Sequence, residues 1–284
     1  MTVAVTTLTS APSLARVFAT SALTAYGKKG SVLPDRTLRL EGVRVDRDHL
    51  VAYQRLCAFG VGDVLPHTYP HILGFPLQAS VMSARDFPLA LPGMVHLANA
   101  ITVHRRLTAD DALDITVSAR DLRPHLKGRV VDLVTEVDVA GERVWESRST
   151  YLSRGGSNPD AAQEAAAPDL PPGDPVAVLR IPEDIGRRYA AVSGDVNPIH
   201  LHPLTAKAMG FPRAIAHGMW TGARTIAAVS NAAGDPSTSQ IRFRKPVFLP
   251  STVEITRAAS GDSVVAGMRS RKNPETEHLV LTLA

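Results

Sequence analysis

Hydrophobic and polar positions change period along the chain, and the change repeats. A helical stretch at 47–58 and a second at about 76–84 precede strand-like segments at 95–107, 112–120, 128–139 and 143–153. No element is assigned before residue 47. The second half opens with a short apolar stretch, Val176–Ile181, then a helical stretch over 183–192 and a Gly/Asp/Asn/Pro loop over 193–198. Pro203 and Gly210 bracket a short helix over 203–209. A longer one is predicted for Gly218–Ala233, closed by Gly234. Its apolar positions Met219, Ala223, Ile226 and Ala227 recur at three- and four-residue intervals, and its small residues Gly222, Ala223, Ala227 and Ala228 let a sheet approach closely. Strands follow at 239–248, 252–258, 263–270 and 278–284, with alternation such as Val253/Ile255 marking half-buried antiparallel strands.

The two halves also match directly. Ile101–Thr116 and Ile241–Thr256 align without gaps (241 against 101, an offset of 140), with Ile at 101/241 and 115/255 and Thr at 116/256. Shared order and shared positions predict a duplicated domain. A stretch rich in Gly, Pro, Ala and Asp separates the halves, giving an N-terminal unit (1–154), a linker (155–175) and a C-terminal unit (176–284). The fold class is α+β, each unit an antiparallel sheet curled around a helix. Pairing their edge strands would join both into one larger sheet and remove two exposed edges.

Composition narrows the classes of function. Apolar residues make up 44% of the 284 and charged residues 20%, as in ordinary globular domains. The net charge of +4 is spread over short groups, Arg187–Arg188, Arg242–Arg244–Lys245 and Arg269–Arg271–Lys272. Scattered bases read first as a solvated face, with an anionic ligand as the functional alternative. No stripe of bases interleaved with aromatics points to nucleic acid. Cys57 is the single cysteine, which excludes an intramolecular disulfide and fits a reducing, cytoplasmic setting. Residues 1–30 lack a basic segment followed by an unbroken apolar run, so no leader is expected. No apolar run approaches the roughly 20 residues of a membrane span.

Candidate chemistry concentrates between Tyr189 and Trp220. Asp195 and His200, five apart, would point about 140° from each other on a continuous helix. Pro198 forbids that helix, and a turn through Gly194–Pro198 can bring both side chains to one point, with Asn197 capping the turn that Pro198 opens. An Asp and a His held together can bind water, remove its proton and return one elsewhere. Ala216–His217–Gly218–Met219 starts the longer helix, whose first N–H groups have no internal partner, so Gly218 could serve a carbonyl oxygen that gains negative charge. The plainer readings are a structural turn and a structural His217. A metal site from His200, His202 and His217 is disfavoured, because the spacing is poor and no carboxylate stands at a matching interval.

The run Ser193–Gly194–Asp195–Val196–Asn197–Pro198–Ile199–His200, followed by Gly210–Phe211 and Ala216–His217–Gly218–Met219, resembles the MaoC-type, or hydratase 2, signature. The whole chain resembles double hot-dog 3-hydroxyacyl-thioester dehydratases. The resemblance implies a helix wrapped by an antiparallel sheet in each half and interconversion of trans-2-enoyl and (R)-3-hydroxyacyl thioesters. It implies catalytic roles for Asp195 and His200 and an oxyanion role for Gly218. Asn197, Ser193 and His217 are expected around the substrate. The acyl group would ride on coenzyme A or acyl carrier protein, with no other cofactor and no metal, and a homodimer is possible. His202 departs from the acidic residue many members have. In the first half Tyr53–Gly60 is the counterpart of Tyr189–Val196, with Cys57 opposite Ser193 and Phe59 opposite Asp195, while Leu77–Gln78 stands opposite His217–Gly218. One active site per chain is therefore expected, with the first half helping to form the acyl tunnel. A thioesterase on the same fold and a non-catalytic acyl-thioester-binding subunit are the alternatives.

Overall fold

The computed structural model describes residues 4–24, 28, 30–156, 158–161, 168–230 and 234–284. The first half runs β1 (Ala4–Leu8), α1 (Leu14–Thr24), β2 (Arg36–Arg44), α2 (Arg47–Cys57) and α3 (Tyr69–Ser83), then β3 (Val95–Val103), β4 (Ala112–His125), β5 (Gly128–Val139) and β6 (Glu142–Arg154). The second runs β7 (Ala177–Ile181), α4 (Ile185–Ser193), α5 (Pro198–Leu201), α6 (Pro203–Ala208) and α7 (Gly218–Val229), then β8 (Ser237–Phe243), β9 (Ser251–Ser260), β10 (Ser263–Ser270) and β11 (Glu277–Leu283).

All the strands belong to one sheet, in the order β1-β2-β4-β5-β6-β3-β8-β11-β10-β9-β7. Read outward from the β3–β8 seam, the halves mirror each other: β3-β6-β5-β4-β2 one way, β8-β11-β10-β9-β7 the other. The seam is antiparallel, and Ala100 sits opposite Gln240, two residues 140 apart. A pseudo-twofold axis therefore passes through that pair. The aligned apolar positions share a burial pattern, since Leu113 and Val253, and Ile115 and Ile255, are all fully buried. The structure is a double hot-dog. α3 lies against β2, β4 and β5, and α7 against β9, β10 and β11. The small residues of α7 do bring the sheet close: a Cβ on Gly222 would stand 2.7 Å from Cδ1 of Ile241, and Ala223 is fully buried.

Several expectations are corrected. The helix expected at about 76–84 is α3, which begins at Tyr69, with Pro70 in its first turn and Pro76 inside it. Thr68–Tyr69 thus take the helix-start position of His217–Gly218, and Leu77–Gln78 lie mid-helix. The α2/α4 correspondence stands: Ala58 (φ 59°) and Gly194 (φ 71°) end those helices in the same left-handed conformation, with Phe59 and Asp195 next. α7 closes at Val229, where Ser230 turns extended, and the expected helix end at 231–233 lies outside the described residues. Three elements precede residue 47. β1 pairs in parallel with β2, and α1 packs on α3. Among the described residues no helix is long and apolar enough to cross a membrane.

Candidate active site

α4 ends at Gly194, whose left-handed backbone turns the chain sharply. Asn197 then caps the single turn of α5, its side chain accepting from Ile199 N–H, with Pro198 in the first position. The intervening loop is tied by hydrogen bonds. Asp195 N–H donates to Ser193 Oγ (3.2 Å), and Asn197 N–H donates to Asp195 Oδ1 (3.1 Å). Asp195 itself lines the cavity. The backbone of α5 presses against α4 at Gly186, where a Cβ would fall 1.9 Å from the His200 carbonyl oxygen. Nothing in the sequence around Gly186 signals this, because the contact is set by tertiary packing alone.

His200 is fixed from the other side by the 211–217 loop. Ile215 N–H donates to the Ile199 carbonyl (3.1 Å), and His200 Nδ1 lies 2.9 Å from the Ile215 carbonyl. A carbonyl only accepts, so Nδ1 carries the proton and Nε2 keeps its lone pair. His217 Nε2 likewise donates to the Asp195 carbonyl (2.9 Å) and lies 3.8 Å from Asp195 Oδ2. The two imidazoles stack with centroids 3.7 Å apart, and Tyr189 packs on His217 at 4.9 Å.

Asp195, His200 and His217 each bring a polar side-chain atom within 4.8 Å of the others. Two hydrogen bonds of about 2.8 Å span more than that, so one water can touch Asp195 and His200 together. The same three residues have the donor types of a metal site, with a carboxylate that sequence spacing had placed out of reach. The stacked rings, inclined by 25°, hold their in-plane lone pairs in nearly parallel planes, which suits one bridging water better than convergence on an ion. His202 is not among them: it is exposed and caps α6 by accepting from Leu204 N–H.

Burial raises the Asp195 carboxyl above its ordinary range, against the opposing pull of His200 and of the Asn197 amide. A quarter of its side-chain surface (26%) nevertheless faces the cavity. Burial also lowers His200, which Asp195 partly offsets, and drives His217 well below its usual value, with His200 adding to the fall. Each ring is therefore held neutral.

Gly218 opens α7 with His217 as its N-cap, so its N–H has no partner within the helix. The space left by its missing side chain is taken up by Phe243, whose ring would lie 3.2 Å from a Cβ there. Asp195, Ser193, Asn197, His200, His217 and Gly218 all line one cavity of about 760 Å³ that extends into the first half along α3. His125, Lys127, Arg154, Arg242, Arg244 and Lys245 line it too. Tyr189, Tyr151, His96 and Phe243, which sequence reasoning assigned no site role, are part of the same wall.

A MaoC like domain model matches residues 161–280, the half that carries Asp195 and His200. The chain is 41% identical over 235 residues to 3-hydroxyacyl-thioester dehydratase X of Mycobacterium tuberculosis, covering 81% of this chain and 82% of that protein. The chain belongs to the MaoC-like dehydratase family. Within it, the crystal structure of HtdX of Mycobacterium tuberculosis superimposes with a TM-score of 0.77 at 36% identity, over 87% of this chain and 99% of that one. The fold is shared at lower identity by a MaoC-like dehydratase from Phytophthora capsici: TM-score 0.71, 18% identity, 87% and 93% coverage. This MaoC-like chain is also 30% identical over 191 residues to the peroxisomal enoyl-CoA hydratase 2 of Arabidopsis thaliana, covering 58% and 62% of the two proteins.

Proposed function

We propose that the protein interconverts trans-2-enoyl and (R)-3-hydroxyacyl thioesters, using Asp195 and His200 as its catalytic pair. The observation that carries this reading is the placement of the Asp195 carboxylate and the His200 ring in one cavity, close enough to share a water. In the hydration direction the pair holds that water beside C3 of the double bond. One member takes a proton as the oxygen bonds to C3, and the π electrons move through C2 onto the thioester oxygen. A proton then reaches C2 and the carbonyl re-forms. Gly218 N–H, at the positive end of α7, stabilises the enolate-like oxygen in between. Burial moves Asp195 up and His200 down, which brings their proton affinities closer together.

The remaining cavity fits a thioester on a pantetheine carrier. Its apolar wall, including Phe75, Met82 and Leu91, suits hydrocarbon, and the lysine and arginine side chains along it suit the carrier's phosphates. This reading calls for no cofactor beyond coenzyme A or acyl carrier protein.

The test follows the absorbance of a conjugated enoyl thioester, crotonyl-CoA and a longer-chain analogue, with thiol release measured in parallel. The wild type should consume the conjugated signal without releasing thiol, and Asp195→Asn should slow this by about 10²-fold or more. Thiol release from a saturated thioester would replace the reading with a thioesterase, and unaltered turnover by Asp195→Asn would remove the assigned pair.

A further inference from the structure

The part of the cavity wall that belongs to the first half holds polar side chains for which hydration has no use. His71 stands in the first turn of α3, His96 on β3 and Tyr151 on β6, and all three line the cavity. Their rings form a column. His71 and His96 lie 6.0 Å apart at 18°, and His96 and Tyr151 lie 4.4 Å apart at 19°. The column reaches the catalytic chamber, since His96 also packs on Phe243 (5.2 Å), the ring that covers Gly218. In the other direction α3 continues the wall with Phe75 and Met82, which are apolar.

A wall that meets only hydrocarbon has no need of imidazoles. His71 is 4% exposed, and among the described residues neither its Nδ1 nor Nε2 of His96 has a hydrogen-bond partner. A neutral imidazole offers one donor and one acceptor. Both atoms have almost no accessible surface, so a ligand oxygen reaches them only as the rings turn toward the cavity, and the bond then made offsets the cost of keeping them buried and unpaired. Burial pushes His71 down to about 4 and His96 in the same direction, so both rings are uncharged near neutral pH. Uncharged rings match an uncharged oxygen better than a carboxylate. Tyr151 leaves one acceptor position: its hydroxyl donates to Gln78 Oε1 (3.2 Å) and accepts from the Ser149 side chain.

We propose that His71, His96 and Tyr151 form a subsite for a neutral oxygen function, a hydroxyl or keto group, carried on the acyl chain beyond the reacting carbons. The inference rests on reading the cavity as an acyl-thioester site, and it makes the first half a determinant of which chains are accepted.

Binding of saturated thioesters tests it without requiring turnover. Calorimetry would compare decanoyl-CoA with decanoyl-CoA esters carrying a hydroxyl or keto group, moved carbon by carbon along the chain. The wild type should bind at least one oxygenated isomer roughly three- to ten-fold more tightly than the plain ester, the range of one net hydrogen bond. His71→Phe and His96→Phe keep the aromatic stacking and remove the polar atoms. Both should erase the preference while binding decanoyl-CoA as well as the wild type or better. No preferred isomer, or a preference that survives both substitutions, overturns the proposal. Enoyl hydration without the preference faults only this subsite. The preference without hydration faults only the assigned reaction. A protein that binds no decanoyl ester fails both.

Discussion

In the role proposed for it, Asp195 illustrates how one side chain can serve a reaction and weaken the fold. Its folded pKa lies above the ordinary 3.8, chiefly through burial, so the ionised form is less favourable in the folded chain than in the unfolded one. Stability is therefore lost as pH rises from about 3.8 through the folded value, and stays lost above it. Asp195→Asn keeps the shape and removes the charge, so it should melt higher than the wild type at pH 7 despite its slowed turnover. That gain should shrink below pH 4, as melting curves at both pH values would reveal; an Asn variant that melts lower at pH 7 contradicts this. Gly186 is a different case. Gly186→Ala sets a methyl 1.9 Å from the His200 carbonyl, so α4 and α5 must part. About 2 kcal/mol of stability should be lost, with a fall in kcat as His200 shifts. Denaturant melts and kinetics check it, and a wild-type kcat would show that His200 tolerates the shift. The meeting of Asp195 with His200 and the helix start at Gly218 are legible in sequence, because a Pro between two chemical residues and a Gly at a helix start leave marks. Gly186, His96 and Tyr151 leave none, since each acquires its role from a segment distant in the chain.

Among the elements, α3 was the hardest to read. Pro76 looks like a helix start, yet it lies seven residues inside one, where it can donate no hydrogen bond to Ile72. Pro76→Ala should restore that donor and raise stability by about 1 kcal/mol, read as a higher denaturation midpoint; a lower midpoint would mean that ring packing outweighs the bond. β2 carried a usable signal in Leu38 and Leu40, both buried on one face. β1 and α1 carried little, because they are held by β2 and α3 from outside rather than by their own pattern. The later strands were legible in place and order but not in their ends: β3 stops at Val103 and β8 at Phe243, short of the expected 107 and 248, while β4 runs to His125, past 120.

On the scale of the molecule, the double hot-dog was readable because the pattern occurs twice. The seam was only an expectation of edge pairing, and its register through Ala100 and Gln240 needed coordinates. Many histidines are buried in this structure, and they set a pH limit. His67 and His71 are pushed down to about 4, and His96, His200 and His217 are lowered as well, in each case first by burial. The unfolded chain takes up protons near pH 6.5 while these rings stay neutral when folded. Stability should thus fall as pH drops from about 6.5 toward 4, by about 1.4 kcal/mol for each unit of depression of each ring. A melting temperature that is flat across that interval would refute the buried neutral rings.

The seam between β3 and β8 has a consequence for descent. When two identical chains meet about a twofold axis, any mutation is made at both sites, and neither can be given up without the other. Here the axis runs within one polypeptide, so its two sides are separate stretches of coding sequence. Phe59 can stand where the other side keeps Asp195, and Tyr69 where it keeps Gly218, without touching the intact pair. On the proposed assignment of the reacting pair, the first half is free to vary as a wall, and changes in what the cavity admits can accumulate there with that pair held constant.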